Sequence, residues 1–216
     1  MSLTYPRPLF IMPFDHRHSF VKAMYGFTPP LTADQTAVVI AGKTIIYDGL
    51  KLAVKRGVAA KAAGVLVDEE FGGAILRDAK ERGFVTCVAV EKSGQEEFAF
   101  EYGDEWRQHI DRFAPTFAKA LLRYNPEGDA AMNRRQAARL QQVADYSHQR
   151  GYGFLVELLI PMTPEQSRRL DGDQKRYDRE LRPPLMIAAI EELQQAGVEP
   201  DIWKIEGLDR RADCEA

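Results

Sequence analysis

Lys204 stands inside Asp201-Ile202-Trp203-Lys204-Ile205-Glu206-Gly207, a stretch that otherwise reads as a short buried strand. A lysine in such a strand is out of place unless it is paired or engaged in chemistry. A second charged residue occupies a matching position, Glu157 within Gly153-Phe154-Leu155-Val156-Glu157-Leu158-Leu159-Ile160. Two successive strands carrying one inward ionisable group each suggest an active site assembled from strand ends; the competing reading is a Lys204–Glu206 pair on an exposed edge. An amine forms an imine with a ketone only when unprotonated, and at the reference pKa of about 10.4 a lysine is mostly charged at neutral pH. Burial near another cation lowers that value and makes the amine a nucleophile. Lys119, inside the apolar run from Thr116 to Leu122, is the natural cationic neighbour. Glu157 would then shuttle protons through imine formation and bond cleavage, and Asp15 would exchange one with a substrate hydroxyl. Each assignment has a purely structural counterpart. Asp15 could cap the loop after its strand, and Lys119 could be a salt-bridge partner of Glu157 or Glu91.

The elements that must position these groups alternate. Strands are expected at Leu9 to Phe14, Gly64 to Val67, Phe84 to Val90, Thr116 to Leu122, Gly153 to Ile160 and Asp201 to Gly207. Between them the pattern predicts a short helix from Ser19 to Tyr25 and a long one from Thr32 to Arg56, with Val39, Ile40, Ile45, Ile46, Leu50, Leu52 and Val54 at helical spacing. A loop at Gly72-Gly73 is expected to lead into a helix from Ala74 to Arg82, with further helices over Glu105–Phe113, Asn133–Arg150 and Leu185–Ala196. Such βα alternation means a parallel sheet with right-handed crossovers. Polar residues close every strand at its C-terminal side, which suits the mouth of a (β/α)8 TIM barrel better than the single switch point of an open sheet. No Gly-x-Gly-x-x-Gly follows the first strand, which counts against dinucleotide binding. A whole barrel has eight strands, so the expectation is one α/β domain over residues 1–216 covering about the first six βα units, truncated at the C-terminus, with unpaired edges that favour self-association.

Composition narrows the classes. A net charge of −3 with no basic stripe argues against nucleic acid, and no apolar run approaches the length of a membrane span. Cys87 and Cys214 show no metal-ligand spacing, and Cys87 in an apolar strand fits a reduced cytoplasmic protein. The first eight residues are too short and proline-rich for an address. His16 and His18 lack the further ligands a metal needs, so neither a metal nor a cofactor is expected. Asp68-Glu69-Glu70 either caps the next helix or contacts substrate, and Glu91 ends the third strand as a second candidate contact.

Met12-Pro13-Phe14-Asp15-His16-Arg17 resembles the first-strand "FDxR" segment of the class I aldolases related to tagatose-bisphosphate aldolase. In the same order, Leu66-Val67-Asp68-Glu69-Glu70-Phe71-Gly72 is similar to their "LDPEYG", with Glu69 in place of the proline, and Glu91-Lys92-Ser93-Gly94 to "EKTG". The segments around Lys119, Glu157 and Lys204 resemble "VKFLLYY", "FLEIL" and "LKVE". The wording around His16–Phe20, Glu157–Pro161 and Asp201–Gly207 is most similar to the branch that cleaves 2-deoxy-5-keto-gluconate 6-phosphate in inositol catabolism, in which the domain is often fused behind a sugar kinase. The resemblance implies Lys204 as the Schiff-base lysine, Glu157 as the proton shuttle, and Asp15 and Lys119 in support. It also implies a sugar phosphate as the partner, with dihydroxyacetone phosphate and malonate semialdehyde as products and no metal. A bisphosphate-ketose aldolase and a non-catalytic sugar-phosphate-binding fragment are the alternatives. An acid-terminated substrate needs a cation, for which charge alone nominates Arg17 or Arg123.

Overall fold

The computed structural model describes residues 8–215, so the reading of the first seven residues lies outside the described part. Six strands form one all-parallel sheet in strictly sequential order: β1 (Phe10–Pro13), β2 (Ala63–Val67), β3 (Val85–Ala89), β4 (Phe117–Arg123), β5 (Gly153–Leu159) and β6 (Ile202–Ile205). The helices between them are α1 (His18–Tyr25), α2 (Ala33–Lys55), α3 (Glu69–Glu81), α4 (Trp106–Phe113), α5 (Ala130–Gln149), α6 (Pro164–Arg169), α7 (Gln174–Arg176), α8 (Arg182–Gln195) and α9 (Arg211–Glu215). The sheet curls into a half-barrel, and the strand order never reverses, so there is no switch point of the doubly wound kind.

Residue alternation divides each strand between two cores. One face of β4 and β5 (Ala118, Ala120, Leu122; Phe154, Val156, Leu158) packs against Leu140 and Val143 of α5 and Met186 and Leu193 of α8. On the same face, toward the β1 edge of the sheet, Val65, Val67 and Val88 meet Tyr47, Leu50, Ile75 and Leu76 of α2 and α3. The opposite face of the strands forms a smaller inner core of Leu66, Val85, Cys87, Phe117 and Leu155, with Ile11 and Ile202 at its margins. Lys119, Glu157 and Lys204 continue this inner face toward the C-terminal ends of their strands.

Several local expectations change in the folded chain. Helix α2 begins at a Thr32 capping box, in which Thr32 and Gln35 exchange side-chain and backbone hydrogen bonds. Its buried stripe, however, is Val39, Lys43, Tyr47 and Leu50. Ile40, Leu52 and above all Ile45, 72% exposed, face outward. The seven aliphatic residues spread over too wide an arc for one face, and a lysine with partners takes a position the pattern left to them. Gly72-Gly73 is no loop: α3 starts at Asp68, whose carboxylate accepts the Phe71 N–H, and runs through both glycines. Gly72 is needed because the helix lies directly against Val67 of β2. The polar segment after β5, expected as loop, contains α6, α7 and a π-helical turn (Tyr177–Leu181) that leads into α8. Thr163 and Asp173 supply its caps, and these segments are too short to show a helical period. Phe10 on β1 is 61% exposed and Ile205 on β6 is also exposed, as befits the two open edges of the sheet. Among the described residues no helix is long and apolar enough to cross a membrane.

A Cβ at position 72 would lie 2.3 Å from Val67 Cγ2, whereas one at 73 would meet nothing closer than Phe113 at 3.5 Å. Gly72→Ala should therefore destabilise by about 1–3 kcal/mol through overpacking. Gly73→Ala should be neutral or stabilising by up to ~1 kcal/mol, the helix-propensity gain. Urea denaturation of the two variants checks the pair, and equal stabilities would refute this account of α3 packing.

Candidate active site

Lys119 is fully buried within β4 and is surrounded by carboxylates that follow β1 and β3 and one from within β5. Its ammonium lies 2.6 Å from Asp15 Oδ2, 2.9 Å from Glu91 Oε1 and 2.9 Å from Glu157 Oε2. All three Nζ protons therefore have acceptors. Burial alone would lower the lysine's pKa, but the charges of Glu91, Asp15 and Glu157 outweigh it and raise the value, so Lys119 is a fixed cation. The same attraction acts on the acids. Burial pushes Asp15 and Glu157 upward, and Lys119 more than offsets this, with Lys204 adding to the effect, so both carboxyls lie below the usual range.

Glu157 links this cluster to Lys204. The two residues are direct partners in the β5–β6 register, and Glu157 Oε1 accepts from Lys204 Nζ while Oε2 faces Lys119. The Lys204–Glu206 edge pair does not form. Glu206 instead accepts the Ile160 N–H at 2.9 Å and pairs with Arg182, tying the end of β6 to β5 and α8. Asp201 does the same at the other end of the strand by accepting the Phe154 N–H. Lys204 is 37% exposed on its side chain, because β6 is an edge strand. Its expected cationic neighbour is thus compensated by three acids, and the group actually touching the Lys204 amine is a carboxylate.

The cluster opens into a cleft of about 180 Å³ walled by Asp15, Arg17, Glu91, Lys119, Arg123 and Glu157, with His16 and His18 at its rim. Lys204 faces a neighbouring groove of about 350 Å³ on the inner side of the sheet, floored by Ile11, Leu66, Leu155 and Ile202. Glu157, on the wall of the first cleft, contacts Lys204 on the second. Among the described residues no group of three His, Cys, Asp or Glu side chains is placed to hold a metal ion.

The candidate substrate contacts separate into two kinds. Arg123 stands on the cleft, bonded to the Gln95 carbonyl at 2.9 Å and paired with no carboxylate among the described residues, so its charge is free for an anion. Arg17 is buried and engaged: it bonds Glu101 at 2.6 Å and the Glu91 carbonyl, locking the β1–α1 turn to the loop after β3. Glu91 is engaged too, by Lys119 and by the Leu121 N–H at 3.2 Å. Asp68 is not brought to the cleft at all. One oxygen caps α3 and the other pairs with Lys43, so the capping reading of Asp68-Glu69-Glu70 holds. Glu69 meanwhile bonds His109 and Arg112 of α4.

Two members of this frame escaped sequence reading. Lys43 of α2 is fully buried, donating to the Phe14 carbonyl at 2.9 Å and pairing with Asp68. A polar residue on the axis between Val39 and Tyr47 was the available signal. Glu101 reaches Arg17 from a loop that folds back by a single bridge between Glu91 and Phe100, for which no local signal exists.

The family model described as "Uncharacterized protein conserved in bacteria" (DUF2090) matches residues 4–215. A match over nearly the whole length means that the chain belongs to this bacterial family. A search of the curated proteins finds no match.

Replacing Lys119 by Met would remove the central cation from three buried carboxylates, leaving Asp15 without an ion-pair partner, Glu157 with Lys204 alone and Glu91 with the more distant Arg17. The expected loss is about 3–5 kcal/mol at pH 7, typical of a broken buried ion pair. The sign with pH follows from the lowered carboxyls. In the wild type their contribution is complete above about pH 4–4.5, the unfolded range, and fades as pH falls through the lower folded values. The deficit of Lys119→Met should therefore shrink on acidification, as the stranded acids take up protons. Denaturation midpoints from pH 7 to pH 4 test this, and a pH-independent deficit would contradict it.

Proposed function

For this member of the DUF2090 family, we propose an imine-forming class I aldolase activity on a phosphorylated keto sugar acid, the resemblance suggesting 2-deoxy-5-keto-gluconate 6-phosphate. The observation that carries the reading is the contact of the Lys204 amine with Glu157, on adjacent strands of the inner face, with Glu157 held from behind by Lys119.

The geometry suggests the following sequence. Deprotonating an ordinary lysine at pH 7 costs about 4.6 kcal/mol. Glu157 is the immediate acceptor for that proton, and substrate entering the groove removes water from the half-exposed amine, which disfavours the charged form. The neutral amine adds to the ketone carbon, one proton passes from its nitrogen to the oxygen to give the carbinolamine, and protonated Glu157 delivers the second proton to that oxygen, which leaves as water to give the iminium ion. A base then takes the proton of the β-hydroxyl, the carbon–carbon bond next to the iminium breaks, and the aldehyde departs while the electron pair forms an enamine. Protonation of the enamine carbon and hydrolysis release the second product and restore Lys204. Asp15, on the far side of the Lys119 cluster, is the candidate for the hydroxyl proton. Lys119 is a positioning residue here: it sets the orientation of both acids and keeps them ionised in the resting state. Arg123 supplies the cation for an anionic end of the substrate.

Incubation with ketose phosphate followed by borohydride should add the reduced adduct mass to Lys204, located by peptide mass spectrometry. Lys204→Ala should abolish the adduct, and Glu157→Gln should slow its formation by about 10²–10⁴, the usual worth of a positioned proton donor. Labelling at another lysine, or none while the ligand demonstrably binds, would defeat the proposal and leave a binding module. Comparing a carboxylate with a phosphate at the far end of the substrate separates the sugar-acid reading from the tagatose-bisphosphate type.

A further inference from the structure

The outer side of α2 carries an apolar line that nothing among the described residues covers. Val38, Ile45 and Leu52 each stand two helical turns from the next and are 44%, 72% and 45% exposed. They lie on the opposite side of the helix from Val39, Lys43, Tyr47 and Leu50, the stripe buried toward the sheet. Elements packed beside α2 in the helical layer therefore do not reach them. Isolated surface aliphatics are ordinary, but three on one line of a 23-residue helix repeat at the heptad spacing of a helix–helix seam.

Gly49 lies beside Ile45 on this outer side, and a Cβ there would meet nothing within 4 Å. Glycine weakens a helix relative to alanine, and no neighbour within the chain requires this one. A second helix drawn close against the seam does require it.

The pattern also selects the partner, because it is symmetric about Ile45. Laying a reversed copy of α2 on the line sets Ile45 on itself, Val38 opposite Leu52, Ala41 opposite Gly49, and Asp34 opposite Arg56 at the helix's C-terminal cap. All of these residues are exposed. The small pair permits close approach, the aliphatic pairs fill the seam, and the outer pairs carry opposite charges. Lys43 and Lys51 of α2 already pair within the chain, with Asp68 and Asp48, whereas Asp34 and Arg56 have no ion-pair partner among the described residues. Self-complementarity under a two-fold rotation is the mark of an isologous contact. We propose that this side of α2 is a homodimer interface, in which two copies of the chain pack their α2 helices antiparallel across an axis at Ile45. A single helix pair falls at the small end of interface sizes, so the dimer should be weak, with Kd on the order of 10–100 µM.

The interface faces away from the sheet that carries Lys204, so it stands or falls separately from the aldolase reading. Sedimentation velocity of the full chain over concentrations bracketing that Kd should show monomer giving way to dimer. Ile45→Asp should raise Kd about 100-fold, one aliphatic side chain being lost from each copy. Its urea midpoint in dilute protein should stay that of the wild type, since residue 45 is exposed. Asp34→Arg and Arg56→Asp should each dimerise severalfold less well alone, with like charges at both ends, and should pair with each other when mixed. In a Cys214→Ser background, Ile45→Cys should oxidise to a cross-linked dimer much faster than Val38→Cys, which faces Leu52. A chain that stays monomeric throughout would overturn the proposal. So would a dimer indifferent to Ile45→Asp, as pairing through the open edges of the sheet would be, or charge variants that associate no better mixed than alone.

Discussion

An ammonium with no access to water, ringed by three carboxylates from other strands, sets the terms for the rest of the molecule. Lys119 cannot be buried alone, since isolated charges are prohibitively costly in an apolar interior. Nor can Asp15, Glu91 and Glu157 converge without it. The cluster ties β1, the end of β3, β4 and β5 together at their C-terminal ends. Hydrophobic residues of similar shape would often serve stability as well or better. The retention of four ionisable groups at the concave end of a parallel sheet is what points to chemistry.

The same device recurs one layer out. Lys43 is buried against Asp68 and the Phe14 carbonyl, and Arg17 against Glu101 and the Glu91 carbonyl. These interactions hold α2 and α1 against the strand ends that carry Asp15. They also explain why a cleft rich in charge leaves few charges free. Arg17 and Asp68 are committed to the frame, whereas Arg123 keeps an uncommitted cation at the rim. The groups placed to act are therefore fewer than the groups present: Lys204 and Glu157 as the reacting pair in the proposed mechanism, Asp15 across the cluster, and Arg123 for an anionic terminus.

Much of this was legible in the chain. The βα alternation and the charges closing each strand follow from period-2 runs and their ends, and they place every strand and the parallel sheet. Lys119, Glu157 and Lys204 stood out because each interrupts an apolar run, and an ionisable group in a buried strand must be compensated by something. Thr32 marked the start of α2 through local capping chemistry, which acts within a few residues and so is visible in one segment, whereas α5 starts at Ala130, capped by Asp129, and not at Asn133. What local reading missed has an equally physical reason. The glycines at 72 and 73 look like a loop because glycine is flexible in isolation; the close approach of Val67 that requires Gly72 lies in another element.

Residue types alone thus determined that ionisable side chains lie on the inner strand faces and that the sheet is parallel, because burial and backbone pairing constrain each strand separately. Only the tertiary structure decided which charges cancel. Coulombic pairing depends on distances between residues as far apart in sequence as Asp15 and Lys119, or Arg17 and Glu101, and those distances arise from the curl of the sheet. That curl turned Lys119 from a free cation beside Lys204 into the centre of three acids, took Asp68 away from the cleft to Lys43, and set Glu157 as a carboxylate shared by both lysines.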